Sequence, residues 1–226
     1  PELAWLVLTV HHIVSDGAST GLFFDELTRA YDACPAALAP LALQFGDYAA
    51  WERASFQEER AERELAYWRA TLGGDRAACR WSEARGSASQ TGGFVALELE
   101  AGTRTALARF ARAEHATPNQ VLLAAWLALL SAAGRQTDVC TGIASSLRQR
   151  RELEPLIGFF VQSLALRCDL AGAPSFAELV QRVHAATLAA QEHGSVPFDR
   201  VVRALGTAPG APPLLQTYFS HMKDAI

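Results

Sequence analysis

The sequence predicts an α/β fold built on a mixed sheet, and three observations carry that prediction. Short apolar runs rich in β-branched residues, at positions 6–10, 139–144 and 160–166, read as strands. Between them lie longer stretches whose apolar residues recur every three or four positions, as on one face of a helix. Alternation of these two kinds of segment is what an α/β layer arrangement requires. No GxGxxG follows a strand and there is no P-loop, which argues against a nucleotide-binding fold.

In chain order, residues 6–10 form a buried strand that runs into His11 and His12, then Asp16 and Gly17. A helix follows Gly17, with Phe23, Leu27 and Tyr31 on one face, Phe24 beside them, and a stop before Pro35. Residues 34–43, rich in alanine and proline, are a connector. From Phe45 to Leu72 the pattern is helical, with Tyr48, Trp51, Leu65 and Trp68 at apolar positions; Trp51 and Trp68 are expected in the core. Glu58, Glu59, Arg60, Glu62 and Arg63 make its solvated side, and Gly73-Gly74 ends it.

Residues 83–93 are a polar loop, and residues 94–100 alternate like a strand. A helix then runs to about His115, burying Leu107 and Phe110. Thr117-Pro118-Asn119-Gln120 is a helix start, with a Thr cap, Pro at the first helical position and Gln three residues after the cap. The apolar run 121–133 is too short to span a bilayer and reads as a buried helix. An arginine-rich loop joins the strands at 139–144 and 160–166. Ser175 to Glu178 is a second capping box, opening a helix to about Gln191. Residues 206–213 are loop, and residues 214–220 begin like a strand.

Half of the 226 residues are hydrophobic and 19% are charged, a globular composition. A net charge of −4 gives no electrostatic case for nucleic acid or an anionic membrane. Cys34, Cys79, Cys140 and Cys168 lack metal-ligand spacing and read as reduced thiols of a cytoplasmic protein; no metal or bound cofactor is expected. No basic n-region marks a secretory signal. Pro1-Glu2-Leu3 leads straight into a core strand, which reads as part of a longer polypeptide.

Polar groups at the end of a buried strand are where such folds expose chemistry. Successive side chains on a strand face opposite ways, so His11 and His12 cannot share one pocket if both are extended. Asp16 is also suited to cap the following helix. Gly17 either lets a backbone N–H approach a reacting group or simply makes a tight turn. Gly17-Ala18-Ser19-Thr20-Gly21 matches the G-x-S-x-G nucleophile elbow of α/β-hydrolases. That motif needs its serine directly between strand and helix, whereas Ser19 falls in the first helical turn. His115, His184, His193 and His221 are the histidines that would complete such a triad.

His11-His12-Ile13-Val14-Ser15-Asp16-Gly17 resembles the HHxxxDG signature of nonribosomal peptide synthetase condensation domains, shared with the chloramphenicol-acetyltransferase-like superfamily. Three further segments resemble that family's motifs in the same order. They are Phe45-Gly46-Asp47-Tyr48-Ala49-Ala50-Trp51, Ile157-Gly158-Phe159-Phe160-Val161-Gln162-Ser163 with Arg167, and His193-Gly194-Ser195-Val196-Pro197-Phe198-Asp199. Departures are Ala18 where Trp is frequent, Gln162 for Asn, Ser163 for Thr, and Ser195 and Asp199 for Asp and Glu. They put the substrate subtype in doubt rather than the family.

The resemblance implies a two-lobed fold with mixed sheets, truncated at both ends. Residues 1–42 would be the C-terminal end of the N-lobe, carrying the histidine motif, and residues 43–226 a partial C-lobe. It implies amide-bond formation between a donor acyl or peptidyl thioester and an acceptor aminoacyl thioester. Both ride on 4'-phosphopantetheine arms of carrier proteins, beside neighbouring synthetase domains. His12 maps onto the catalytic position, Asp16 onto a structural acid paired with an arginine not assigned from sequence, and His11 onto loop support. Ser15, Ala18, Gln162 and Ser163 are candidates for the substrate channel. Arg148, Arg150 and Arg151 either meet a carrier's acidic surface or phosphate, or form a solvated loop. His193 is expected to hold its turn together.

Related readings are an epimerisation or cyclisation domain, or an acyltransferase using free coenzyme A. Cyclisation domains replace the first histidine by aspartate, and epimerisation domains follow the glycine with Val-Ser-Trp-Arg; neither fits. A non-catalytic carrier-docking platform is the reading from another class.

Overall fold

In the computed structural model, residues 5–33, 38–74, 91–206 and 213–221 are described. The chain divides into two compact units, one from Pro1–Ala61 with Ser145–Gln162, the other from Glu62–Ala144 with Ser163–Ile226. Expectations for Cys34, Cys79, residues 34–37, 83–90 and 207–212 lie outside the described residues.

The first unit begins with a 3-10 turn, His12–Val14, followed by α1 (Gly17–Ala33) and α2 (Phe45–Ser55). Gln44 and Asp47 form a capping box at the start of α2, satisfying N–H groups that a helix start otherwise leaves open. A second 3-10 turn, Arg151–Leu153, lies in the returning segment. The core here is Tyr48, Leu153, Leu156 and Phe160, with Phe45 and Leu147 packed against it. The Phe160 ring meets Phe45 edge-on at 5.0 Å and Tyr48 at 4.8 Å. Gly158 is buried against the Phe45 ring so closely that a Cβ there would lie 2.2 Å from it.

Helix α3 (Glu58–Leu72) supplies Leu65, Trp68 and Leu72 to the second unit. It stops at Gly73, and Gly74 takes a positive φ of 77° that favours glycine. Helices α4 (Ala101–Ala113) and α5 (Pro118–Gly134) pack together, and α5 packs on α6 (Phe176–Glu192). Both expected capping boxes are present. The Thr117 hydroxyl accepts from Gln120 N–H at 3.2 Å and the Gln120 side chain accepts from Thr117 N–H at 2.8 Å. Ser175 and Glu178 do the same at 3.3 and 2.7 Å. Strands β1 (Asp138–Ser146), β2 (Val161–Asp169) and β3 (Tyr218–Phe219) form a mixed sheet in the order β2-β1-β3. β3 runs parallel to β1, with Gly142 opposite Tyr218. Any side chain at Gly142 would strike the Tyr218 ring at 2.4 Å.

Several expectations are corrected. Residues 6–10 are not a buried strand: they carry no regular structure, and Val7 is 86% exposed. Residues 94–100 are likewise irregular, with Val95 92% exposed. Apolar runs of this kind record what a strand would bury, but a strand needs a paired neighbour, and the described residues supply none to either. The single helical stretch from Phe45 to Leu72 is two helices, broken at Phe56-Gln57. Tyr31 and Phe24 on α1 are exposed, and Trp51 is 49% exposed rather than core, with the Arg150 guanidinium 5.0 Å above its ring. The final strand is two residues long, and a further helix, α7 (Phe198–Leu205), precedes the loop at Gly206. Among the described residues no single helix is long and apolar enough to cross a membrane.

Candidate functional site

The histidine motif folds as a turn, not as a strand end. His11 is extended (φ −71°, ψ 134°), and His12 opens the 3-10 turn, so alternation along a strand does not decide where the rings point. Hydrogen bonding separates them instead. The Ile13 N–H donates to His11 Nδ1 at 3.1 Å, so that nitrogen is an acceptor and the neutral ring carries its hydrogen on Nε2. His12 Nδ1 lies 2.6 Å from the Ser15 carbonyl oxygen, which can only accept. The hydrogen of His12 is therefore on Nδ1, and its Nε2 presents a lone pair in the neutral ring. Two adjacent histidines thus hold opposite tautomers. Both side chains are exposed.

Asp16 anchors this turn from below. It is the residue before α1, and its Oδ1 accepts from Ser19 N–H at 2.8 Å, a helix N-cap. The same carboxylate accepts from Phe160 N–H at 3.0 Å and from Arg148 Nη2 at 3.1 and 3.3 Å. Arg148 completes its own pattern with the Leu153 and Leu156 carbonyls, both at 2.7 Å, and lies over the Phe160 ring at 4.2 Å. Burial pushes the Asp16 carboxyl upward, but hydrogen bonds from Ser19, Phe160 and Arg148 outweigh it and hold the group below its ordinary value. Asp16 therefore fills both structural parts read for it, cap and ion-pair partner.

Two expectations fail here for clear reasons. Arg148 does not meet a carrier or line a solvated loop, because its side chain is 8% exposed and committed to Asp16. Ser19 is not a nucleophile. It is 0% exposed, its hydroxyl donates to the Gly158 carbonyl at 2.8 Å, and it accepts from Gly158 N–H at 3.0 Å and Arg148 Nη2 at 2.8 Å. No histidine shares those bonds, and the hydroxyl has nothing left to offer a substrate.

Gly17 and Ala18 are exposed at the first turn of α1, and Ser15 is half-buried. Gln162 and Ser163 are half-buried at the start of β2, with the Ser163 hydroxyl 3.3 Å from the Tyr218 hydroxyl. Arg151 is exposed on its 3-10 turn. Phe159, which sequence reading did not single out, sets its ring edge-on to His12, centroids 5.2 Å apart at 87°. Gly158 and Phe160 on either side of it are buried, whereas Phe159 is 38% exposed.

In the second unit the remaining motif residues are structural pins. Arg167 is bidentate with Asp138 at 2.8 and 2.6 Å and donates to the Thr71 and Gly73 carbonyls, tying the end of α3 to the sheet. His193 Nδ1 is 2.7 Å from Glu64, its ring stacks on Tyr67 at 3.9 Å, and its carbonyl accepts from Trp68 Nε1. Burial pushes the Cys168 thiol up to about 11. Among the described residues no three His, Cys, Asp or Glu side chains are placed to hold a metal ion.

A family model described as Condensation domain matches residues 2–223, and the chain belongs to that family. It is 39% identical over 230 residues to malpibaldin synthetase of Mortierella alpina, covering 97% of this chain and 4% of that protein. Among solved structures it is similar to the X-domain in its complex with OxyB from teicoplanin biosynthesis (33% identity, TM-score 0.79), covering 92% of this chain and 49% of that one. It is also similar to the first condensation domain of the calcium-dependent antibiotic synthetase, solved with a substrate analogue (25% identity, TM-score 0.74), covering 93% and 48%. The chain therefore spans about half the length of these solved domains and a small part of the synthetase.

Proposed function

We propose that this chain carries the reacting imidazole of a peptide-bond-forming condensation domain. The complete domain joins a donor acyl or peptidyl thioester to an acceptor aminoacyl thioester, both carried on 4'-phosphopantetheine arms of peptidyl carrier proteins. In this reading residues 1–42 end the N-lobe and residues 43–226 form part of the C-lobe, a division by family that is separate from the two compact units. The protein works in the cytoplasm among neighbouring synthetase domains in secondary-metabolite or antibiotic biosynthesis. The pantetheine arms arrive with the substrates, and the chain itself holds no cofactor.

The observation that carries this reading is His12, exposed, with Nδ1 tied to the Ser15 carbonyl and Nε2 left as an acceptor. The acceptor amine attacks the thioester carbonyl, giving a tetrahedral intermediate. Collapse breaks the C–S bond, the amine proton passes through Nε2, and the departing sulfur receives it. Magnitude tempers the base role. A free α-amine has a pKa of about 8, so at pH 7 about a tenth is already neutral, a cost of about 1.4 kcal/mol. Removing that proton from the ground state is a small part of the barrier. His12 mainly holds the amine and stabilises charge in the intermediate. Asp16 and its partners keep the turn in place, and Gly17 follows it at the first turn of α1; Ser15, Ala18, Gln162 and Ser163 are the channel candidates that the family resemblance names.

The test is a single-turnover assay in the complete domain, with two loaded carriers and mass spectrometry of the product, for the native protein and His12→Ala across pH. Loss of product that high pH does not restore supports the reading. Full rescue at high pH reduces His12 to a simple base, and undiminished product overturns the assignment. Carrier binding with no product even from the native protein would leave a docking platform.

A further inference from the structure

We propose that Phe159 is a positioning residue for His12, holding the imidazole in the orientation that keeps its hydrogen on Nδ1. The inference rests on the reading of His12 above. The two rings meet edge-on at 5.2 Å, a geometry aromatic quadrupoles favour. What makes the contact more than a surface encounter is the backbone on either side of Phe159. At Gly158 both the N–H and the carbonyl are bonded to the single hydroxyl of buried Ser19, at 3.0 and 2.8 Å. At Phe160 the N–H is bonded to Asp16 at 3.0 Å and the side chain is fully buried.

The peptide carrying Phe159 is therefore pinned one residue before and one residue after. Both pins start from α1's first turn and the residue that caps it, the same stretch that follows the histidines in the chain. Phe159 has little freedom to move relative to His12. Its ring is 38% exposed, so it adds little to the core. The closed path runs His12, Ser15, Asp16, Phe160, Phe159 and back to His12. A ring free to turn about its χ2 would lose the Ser15 bond and exchange the Nδ1–H and Nε2–H forms; the edge-on contact with Phe159 is the packing that disfavours that turn.

The test reads the histidine ring directly. Long-range proton–nitrogen spectra of the 15N-labelled chain above the imidazole titration range distinguish the two tautomers, and His12→Asn identifies the His12 signals. The native chain is expected to show His12 in the Nδ1–H form. Phe159→Leu, and independently Phe159→Met, are expected to move its nitrogen shifts toward the average of the two forms, while Phe159→Tyr keeps the native pattern. In the complete domain the Leu variant is expected to lower kcat about three- to tenfold with KM for the carriers unchanged, the range an aromatic pair is worth, and the Tyr variant to restore it. An unmoved tautomer and unchanged kcat in both apolar variants would overturn the proposal. Tautomer averaging in a domain that forms no product would keep the positioning role and defeat only the catalytic reading.

Discussion

The carboxylate of Asp16 and the guanidinium of Arg148 meet at 3.1 Å across 132 positions of sequence, with side chains only 2% and 8% exposed. The pair joins the residue that caps α1 to the segment that returns after β1. Removing one partner of a buried pair strands the other. Arg148→Ala is expected to cost about 3–5 kcal/mol, read from urea unfolding. Because removing both partners leaves no charge stranded, Asp16→Ala combined with Arg148→Ala should cost less than the sum of the single changes.

Acid should weaken the same junction. The folded-state pKa of Asp16 lies below its ordinary value, so the contribution is fully present above the unfolded carboxyl value of about 3.9 and is lost as pH falls through the folded one. The urea midpoint of the native chain should exceed that of Asp16→Asn at neutral pH. The gap should shrink below about pH 4, where the unfolded aspartate begins to bind its proton. A gap constant to pH 2 would contradict the assigned direction.

The neighbouring histidines should separate cleanly on mutation. In the complete domain, under the proposed function, His12→Ala is expected to lower the single-turnover condensation rate about 10²–10³-fold, the scale of losing one preorganised charge-stabilising group. His11→Ala removes only the acceptor for Ile13 N–H and should leave the rate within severalfold of native. Equal losses from both would point to collapse of the turn rather than to distinct roles.

Gly158 offers a packing test independent of chemistry. Its Cβ position lies 2.2 Å from the Phe45 ring, so Gly158→Ala forces the ring or backbone aside and should cost about 1–3 kcal/mol. Shrinking the obstacle in a Gly158→Ala, Phe45→Leu double variant should recover part of that loss. Denaturant midpoints of the three variants decide the matter.

Much of the fold could be read from local chemistry. Thr117 with Gln120, and Ser175 with Glu178, announce helix starts because a capping box needs only four residues and no tertiary partner. α7 was also within reach: Phe198, Val201, Val202 and Leu205 fall at i, i+3, i+4 and i+7, and Gly206 follows with φ of 58°. Arg148 was not within reach. Nothing near it names Asp16, and three arginines in one loop look like a solvated surface. The turn at His12 escaped for the opposite reason: the apolar run before it imitates a buried strand, and only a paired neighbour would make it one.

Those uncovered apolar ribbons have a practical consequence. Val7 and Val95 lie almost bare to water, on segments whose backbones join no ladder among the described residues. Such segments invite edge-to-edge stacking between molecules as concentration rises. Turbidity of the purified chain should climb steeply with concentration, and lysine at positions 7 and 95 should delay it without disturbing the Asp16–Arg148 junction.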